Sequence, residues 1–389
     1  MPYMRLGVNT EEICRNMKRK LRRSSRPTQF YKIIAIQQLL ARILLSPISF
    51  LYGMVISIRN FFYDIDLVKS SKFSIPVISV GNLSVGGAGK TPHIEYLIRL
   101  LQPYINVATL SRGYKRKTKG FRFVEPRDTA LMVGDEPLQY RRKYRGVVVA
   151  VAENRAIGIP LIVQKYPGIQ TILLDDAFQH RSVEPGLNIL LSSYENPFYE
   201  DYLIPAGRLR EYRSGYKRAD IIIVTKCPDE ISEMEKEDIL SGINKLPHQK
   251  VFFSKYAYAP PYSFYDPRRR LRLDKDMDVT LVSAIANTQY LFDYLDEEVQ
   301  EVHSLDYEDH RIFTDRDIEY INTVFKNRPN PKKIIITTEK DATRLDLHRK
   351  KISEWKWPLF VLPVEVAFMD DSKADFDQTI KDYLLNFKT

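Results

Sequence analysis

One run of eight residues, Ser84-Val85-Gly86-Gly87-Ala88-Gly89-Lys90-Thr91, constrains this chain more than any other feature. It follows a β-branched apolar stretch at 75–80 and precedes a helical pattern over 93–101. A glycine-rich strand-to-helix turn ending in Gly-Lys-Thr is the phosphate-loop pattern G-x-x-x-x-G-K-[ST], here with Ser84 in place of the first glycine. Gly86 and Gly87 give the backbone the freedom to turn consecutive N–H groups onto phosphate oxygens. Lys90 is placed to neutralise the outer phosphates of a nucleotide, and Thr91 to bind Mg2+. The helix N-terminus adds its partial positive charge. A ligand-free glycine-rich turn is the bland alternative, and the strand-to-helix context weighs against it.

The rest of the chain supplies the sheet that such a loop needs. Short apolar runs at 75–80, 107–110, 147–151, 171–174, 187–191 and 221–225 alternate with helical patterns. Further runs stand at 251–253, 279–283, 334–338 and 359–364. Most are continuous rather than alternating, as in strands covered on both faces. The expected fold is therefore α/β: a P-loop NTPase-type, mainly parallel sheet with helices on both faces, plus a smaller second α/β domain. Pro260, Pro261, Pro267 and the run Arg268–Arg270 break the pattern and read as a linker. The expected division is 1–32 as a basic, poorly ordered extension, 33–64 as a membrane-associated helix and 65–255 as the P-loop domain. A linker at 256–275 and a second domain at 276–389 complete it.

A magnesium–nucleotide site needs carboxylates across from the loop. The apolar run at 171–174 ends in Asp175-Asp176, where an acid can hold Mg2+ directly or through water. A pair of turn acids is the plainer alternative.

Charge separates the head of the chain from its body. Residues 1–63 hold eleven basic and two acidic residues, leaving 48 basic and 47 acidic for the remainder. A nucleic-acid binder would carry its basic surface on the folded body, so nucleic acid is not expected as a partner. Behind the basic cluster lies an apolar segment whose longest charge-free run, 43–58, is sixteen residues and is bracketed by Arg42 and Arg59. A span needs about 20 apolar residues, so a helix lying in an anionic membrane surface fits better than a crossing one. A buried helix behind a disordered basic tail is the alternative. Two cysteines, Cys14 and Cys227, allow no disulfide framework, and no signal peptide is recognised.

Seven blocks in one order carry a family resemblance. They are Val80-Gly81-Asn82-Leu83 running into the phosphate loop and Pro92, Leu110-Ser111-Arg112-Gly113-Tyr114, Val133-Gly134-Asp135-Glu136-Pro137 and Asp175-Asp176-Ala177-Phe178-Gln179-His180. The others are Pro205-Ala206-Gly207-Arg208-Leu209-Arg210-Glu211, Asp309-His310 and Thr338-Glu339-Lys340-Asp341-Ala342. Over roughly residues 40–345 the chain resembles the tetraacyldisaccharide 4′-kinases, the lipid A 4′-kinases, in which Ser or Thr is usual at the position of Ser84. Ala177 stands where that family has Gly, and Tyr212 where its LREP block has Pro.

The resemblance implies transfer of the γ-phosphate of ATP, with Mg2+, to the 4′-hydroxyl of a tetraacylated glucosamine disaccharide 1-phosphate. It also implies a place on the cytoplasmic face of the inner membrane of a Gram-negative bacterium, and no obligate protein partner is inferred. By the same resemblance Asp135 accepts the hydroxyl proton and His310 pairs with it. Glu211 joins Thr91, Asp175 and Asp176 around Mg2+, and Arg210 meets phosphate charge. Arg112, Gln179 and His180 are further candidates for phosphate, substrate or metal-shell contacts. Spacing alone favours a helix N-cap for Asp135, which precedes Glu-Pro.

Three other classes fit less well, and one of them, a non-catalytic membrane-binding module with a relic nucleotide site, is opposed by the intact Lys90, Thr91, Asp135 and Asp176. A membrane-bound P-loop ATPase switch acting on a protein partner would carry Lys before the paired glycines, where Val85 stands. A GTPase would need Asp one residue earlier than in Thr225-Lys226-Cys227-Pro228-Asp229.

Overall fold

The computed structural model describes residues 29–388. The elements in order are α1 (Gln29–Asp64), β1 (Val77–Asn82), α2 (Lys90–Leu101), β2 (Val107–Ser111), β3 (Arg122–Phe123), α3 (Ala130–Val133), α4 (Asp135–Lys143) and β4 (Val148–Val151). There follow α5 (Arg155–Lys165), β5 (Thr171–Asp175), β6 (Leu187–Ser193), β7 (Ile221–Thr225), α6 (Glu233–Ile243), β8 (Lys250–Tyr258) and β9 (Tyr262–Ser263). The last are β10 (Asp278–Ser283), α7 (Gln289–Glu298), β11 (Glu301–Asp306), α8 (Asp315–Asn327), β12 (Lys333–Thr338), α9 (Glu339–Leu345), α10 (Arg349–Glu354), β13 (Leu359–Leu362), β14 (Val364–Phe368) and α11 (Lys373–Leu385).

The strands form two sheets, one of nine in the order β14-β8-β7-β6-β1-β5-β2-β4-β3 and one of five in the order β11-β10-β12-β13-β9. Pairing is parallel except at β14, β3 and β9, which lie antiparallel at sheet edges. The continuous apolar runs end up where both faces are covered. Ile78 and Val80 of β1 pack with Ile94, Leu97 and Ile98 of α2, whereas Val77 packs on the opposite face with Ile159 and Ile162 of α5. That alternation is the two-residue period of a strand. The second sheet has its own apolar layers, with Leu281, Leu291 and Leu295 on one side and Val282, Ile318 and Ile321 on the other.

β1 is flanked by β5 and β6, so the chain leaves the middle of the large sheet in opposite directions from this point. In open α/β sheets a crevice forms at the carboxyl ends of the strands there, and that is where the phosphate loop lies.

The expected boundary at 276–389 differs from the path of the chain. After β13 the chain recrosses, β14 pairs with β8 of the large sheet, and Phe376 and Ile380 of α11 enter the same core as Ile78. The run expected as one strand at 359–364 is thus two strands in two sheets. β8 occupies residues assigned to the linker. Pro260 and Pro261 stand between β8 and β9, where the chain passes from one sheet to the other. The physical reason is burial: the apolar faces of β14 and α11 are covered by the first core, a long-range event without a local signal.

Helix α1 extends the expected 33–64 segment back to Gln29. Pro47 lies inside it and cannot donate to the carbonyl of Ile43. The Ser46 hydroxyl donates to that carbonyl instead, at 2.8 Å. One face of α1 docks on the body through Ser49, which donates to the Leu203 carbonyl, and Tyr52, which donates to the Arg210 carbonyl. The other face leaves Leu44, Ile48, Leu51, Val55, Ile58 and Phe61 exposed. The stretch Arg42–Asp64 is long and apolar enough to cross a membrane by length and composition, and only 11% of its most apolar window is buried. The basic cluster and Cys14 fall outside the described residues, as do all of 1–28 in the expected extension.

Candidate active site

The phosphate loop runs from the end of β1 to the first turn of α2. Gly86 and Gly89 adopt φ values of 107° and 86°, in the left-handed region that favours glycine. The loop is braced from three sides. The Val85 N–H donates to the Arg208 carbonyl at 2.7 Å, the Thr225 hydroxyl to the Ala88 carbonyl at 2.9 Å, and His93 Nδ1 meets the Gly89 carbonyl at 2.8 Å. Burial lowers the His93 pKa to about 4, so this imidazole stays neutral behind the loop. Lys90 Nζ donates to Asn82 Oδ1 at 2.9 Å and lies 3.6 Å from Asp176 Oδ1.

Asp175 and Asp176 follow from the end of β5, next to β1. Asp175 is buried and accepts a 2.9 Å hydrogen bond from the Tyr140 hydroxyl. Burial and the Asp176 charge raise its pKa, whereas for Asp176 the charges of Lys90 and Arg210 outweigh burial and lower it. Arg210 Nη1 bonds Asp176 Oδ1 at 2.9 Å. Its neighbour Glu211 is buried and accepts from Arg218, Gln179 Nε2 and Asn60 Nδ2. Gln179 also donates to the Asn82 carbonyl. His180 accepts from the Arg155 N–H and lies 2.9 Å from Ser182 Oγ. Its pKa falls to about 4 through burial and the charges of Arg155, Arg59 and Arg112. Arg112 is exposed on the cavity wall.

Asp135 opens α4 behind Gly134, whose φ is 92°. A side chain there would meet Gly113 Cα at 3.0 Å in a backbone conformation that L-residues avoid. Gly134→Ala is therefore expected to cost about 1–3 kcal/mol of stability. A thermal melt checks this, and an unchanged melting temperature would contradict the strain at Gly134.

Asp135 is buried, and its Oδ2 lies 3.1 Å from Nδ1 of His310, which arrives from the loop after β11 of the second sheet. His310 itself takes a φ of 61°, and its ring meets the Tyr114 ring edge-on at 4.7 Å. The same Asp135 oxygen receives Nε of Arg344 at 3.0 Å, and the Arg344 Nη2 group also reaches it. Lys340 bridges Glu136 at 2.8 Å and His310 Nε2 at 3.1 Å. Burial alone would raise the Asp135 pKa, but His310, Lys340 and Arg344 hold it well below the usual carboxylate range. Glu136 goes the other way, raised by burial and by the Asp135 charge.

Sequence reasoning quoted Lys340 without a role and did not single out Arg344, Tyr140 or Arg155. The Thr338–Ala342 block was the available signal, since Lys340 lies in it and Arg344 follows two residues later.

One cavity of about 840 Å3 gathers the phosphate loop, Arg112, Glu136, Asp175, Asp176, Gln179, His180, Arg210, Glu211, His310 and Lys340. It continues to Tyr52, Ile56 and Arg59 of α1 at one side, and to Tyr256 and Tyr290 at another. Asp135, His310 and Glu136 also lie within metal-ligating distance of each other. Arg344 and Lys340 already balance their charge, so this cluster is not read as a metal site. Thr91, Asp175 and Asp176 line this cavity and offer only oxygen donors, the chemistry that suits magnesium.

A phosphate loop at a sheet switch point, facing an acid–histidine pair across a cleft, defines a nucleotide-using phosphotransferase of the P-loop class. The family model for tetraacyldisaccharide-1-P 4′-kinase matches residues 41–384. The chain belongs to that family. It is 43% identical over 345 residues to the tetraacyldisaccharide 4′-kinase of Phocaeicola vulgatus, covering 87% of this chain and 94% of that one. It is 42% identical over 352 residues to the protein of that name from Bacteroides thetaiotaomicron, covering 87% and 92%. The crystal structure of LpxK from Aquifex aeolicus in complex with ATP superposes with a TM-score of 0.66 at 28% identity, over 88% of this chain and 99% of that one.

Proposed function

We propose that this protein transfers the γ-phosphate of ATP to the 4′-hydroxyl of a tetraacylated glucosamine disaccharide 1-phosphate, in lipid A biosynthesis. The observation that carries this reading is the pairing of Asp135, at the start of α4, with His310, which lines the cavity that holds the phosphate loop.

Phosphoryl transfer needs positioning and charge neutralisation more than covalent chemistry. In this reading the loop N–H groups and Lys90 hold the outer phosphates, and Arg210 adds charge beside them. Asp135 takes the proton of the acceptor hydroxyl, and His310 orients the carboxylate. Thr91, Asp175 and Asp176 would hold Mg2+, which supplies charge neutralisation between the phosphates. Glu211 is the fourth candidate, with its carboxylate held by Arg218, Gln179 and Asn60. Arg112, Gln179 and His180 line the same wall and shape the space left for the acceptor.

The acceptor carries acyl chains, so the enzyme has to meet a membrane. The exposed apolar face of α1, with Arg59 beside the cavity, supports attachment to the cytoplasmic face of the inner membrane, peripheral or monotopic. Wild-type protein is expected to float with vesicles containing anionic lipid. A variant with Leu44, Ile48, Leu51 and Val55 changed to Ser is expected to remain in the soluble fraction. Equal flotation of both would remove α1 from the account.

The acceptor position is tested with labelled ATP and two lipids, one with a free 4′-hydroxyl and one with that position blocked. Label on the first alone supports the reading. Label on both moves the reaction to another hydroxyl, and ATP hydrolysis with neither labelled favours an ATPase switch.

A further inference from the structure

The nucleotide chemistry above does not require an arginine on the proton acceptor, yet Arg344 is built tightly onto it. Its side chain is 1% exposed and the Asp135 side chain 5%. Arg344 Nη1 bonds Asp341 Oδ1 at 2.8 Å and the Ala284 carbonyl at 2.9 Å. Asp341 is held in turn by the Thr338 hydroxyl at 2.7 Å and the Ala284 N–H at 3.1 Å. The guanidinium is thus clamped by the end of β10 and the first turn of α9, and its remaining edge meets Asp135 at the start of α4.

We propose that Arg344 is a positioning residue for phosphoryl transfer, fixing the Asp135 carboxylate through Oδ2 and keeping it ionised so that Oδ1 serves the acceptor hydroxyl. The proposal rests on reading Asp135 as the proton acceptor. Arg344 and His310 share Oδ2, while Oδ1 is 3.2 Å from the Glu136 N–H. Two donors from α9 and the loop after β11 therefore set the rotation of a carboxylate at the start of α4. An acid in this position needs no high basicity, because in a loose transition state the hydroxyl loses its proton late. It does need to be ionised and aimed.

The charged and titratable groups facing Asp135 are Glu136 on its own helix, His310 from the loop after β11, and Lys340 and Arg344 on α9. Asp309 and Asp341 stand one step behind His310 and Arg344. Without Arg344, burial presses toward the neutral acid, and His310, Lys340 and the Glu136 contact remain to oppose it. Lys340 is already shared with Glu136.

The test is the pH profile of kcat/KM for label transfer from ATP to lipid, for wild type, Arg344→Met, Arg344→Lys and Asp135→Asn, with nucleotide binding as the folding control. In Arg344→Met the acid limb is expected to move up by about one pH unit or more, so the loss is largest at acid pH. Arg344→Lys keeps the charge, so its limb is expected to stay near wild type. Lysine lacks the planar fork that joins Asp135 to Asp341, so kcat is expected to fall with KM for ATP unchanged. A uniform loss in Arg344→Met with an unmoved limb overturns the proposal. If Arg344→Met does not bind nucleotide, an unchanged kcat in Arg344→Lys overturns it instead. An inactive Asp135→Asn beside an unmoved limb removes only the role of Arg344. An active Asp135→Asn overturns the reading of Asp135 and this proposal together.

Discussion

Asp135→Asn is expected to lower kcat for lipid phosphorylation by about 10²- to 10⁴-fold while ATP still binds. The asparagine keeps the shape of the carboxylate but cannot take the proton of the acceptor. Asp135 is not among the residues that cradle the phosphates, so nucleotide affinity should hold. The substitution also has a structural cost. Asp135 is the buried partner of Arg344, and removing one member of such a pair costs about 3–5 kcal/mol. The variant should therefore melt lower, and its kinetics belong at a temperature where nucleotide binding shows it folded. Loss of transfer with retained binding separates chemistry from collapse. A kcat within the wild-type range would remove Asp135 from the chemistry and leave it a structural partner of His310 and Arg344; the N-cap place that spacing suggested is taken by Gly134.

Lys90→Ala is expected to remove transfer by a different route. Lys90 is held between Asn82 and Asp176, with its ammonium at the mouth of the loop. Losing a preorganised charge on the transferring phosphoryl group costs about a hundred- to a thousandfold in rate. Both kcat and ATP affinity should fall here, because the lysine meets the phosphates in the ground state as well. Asp176 would keep Arg210 as its partner, so the stability loss should be smaller than for Asp135→Asn. Measuring KM for ATP in the two variants distinguishes them, raised for Lys90→Ala and unchanged for Asp135→Asn. An unaltered KM and kcat in Lys90→Ala would mean that the loop does not hold the transferred phosphate.

How much was legible in the sequence follows from how local each signal is. The phosphate loop could be read because strand, glycines, Lys90 and Thr91 are contiguous. Asp175 and Asp176 could be read because an apolar strand ends in them. The short edge strands β3 and β9 have two residues each, too few to set a period. β11 buries only Val302 and Leu305 among Glu301, His303, Ser304 and Asp306, so it shows no apolar run. The return of β14 and α11 to the first core is a pairing across more than a hundred residues of chain, as Val364 with Tyr258 illustrates. Asp135 and His310, 175 positions apart, were joined by family resemblance and not by any local pattern. Arg344 had no such support. Its meaning depends on a carboxylate 209 positions away and on a clamp formed by Ala284 and Asp341.

The most direct test of the account is transfer of label from γ-labelled ATP to a purified acylated glucosamine disaccharide 1-phosphate in mixed micelles with Mg2+, wild type beside Asp135→Ala. The expected result is labelled lipid from wild type and near-background label from the variant, with both binding ATP. ATP hydrolysis by wild type without any labelled lipid would contradict the kinase reading.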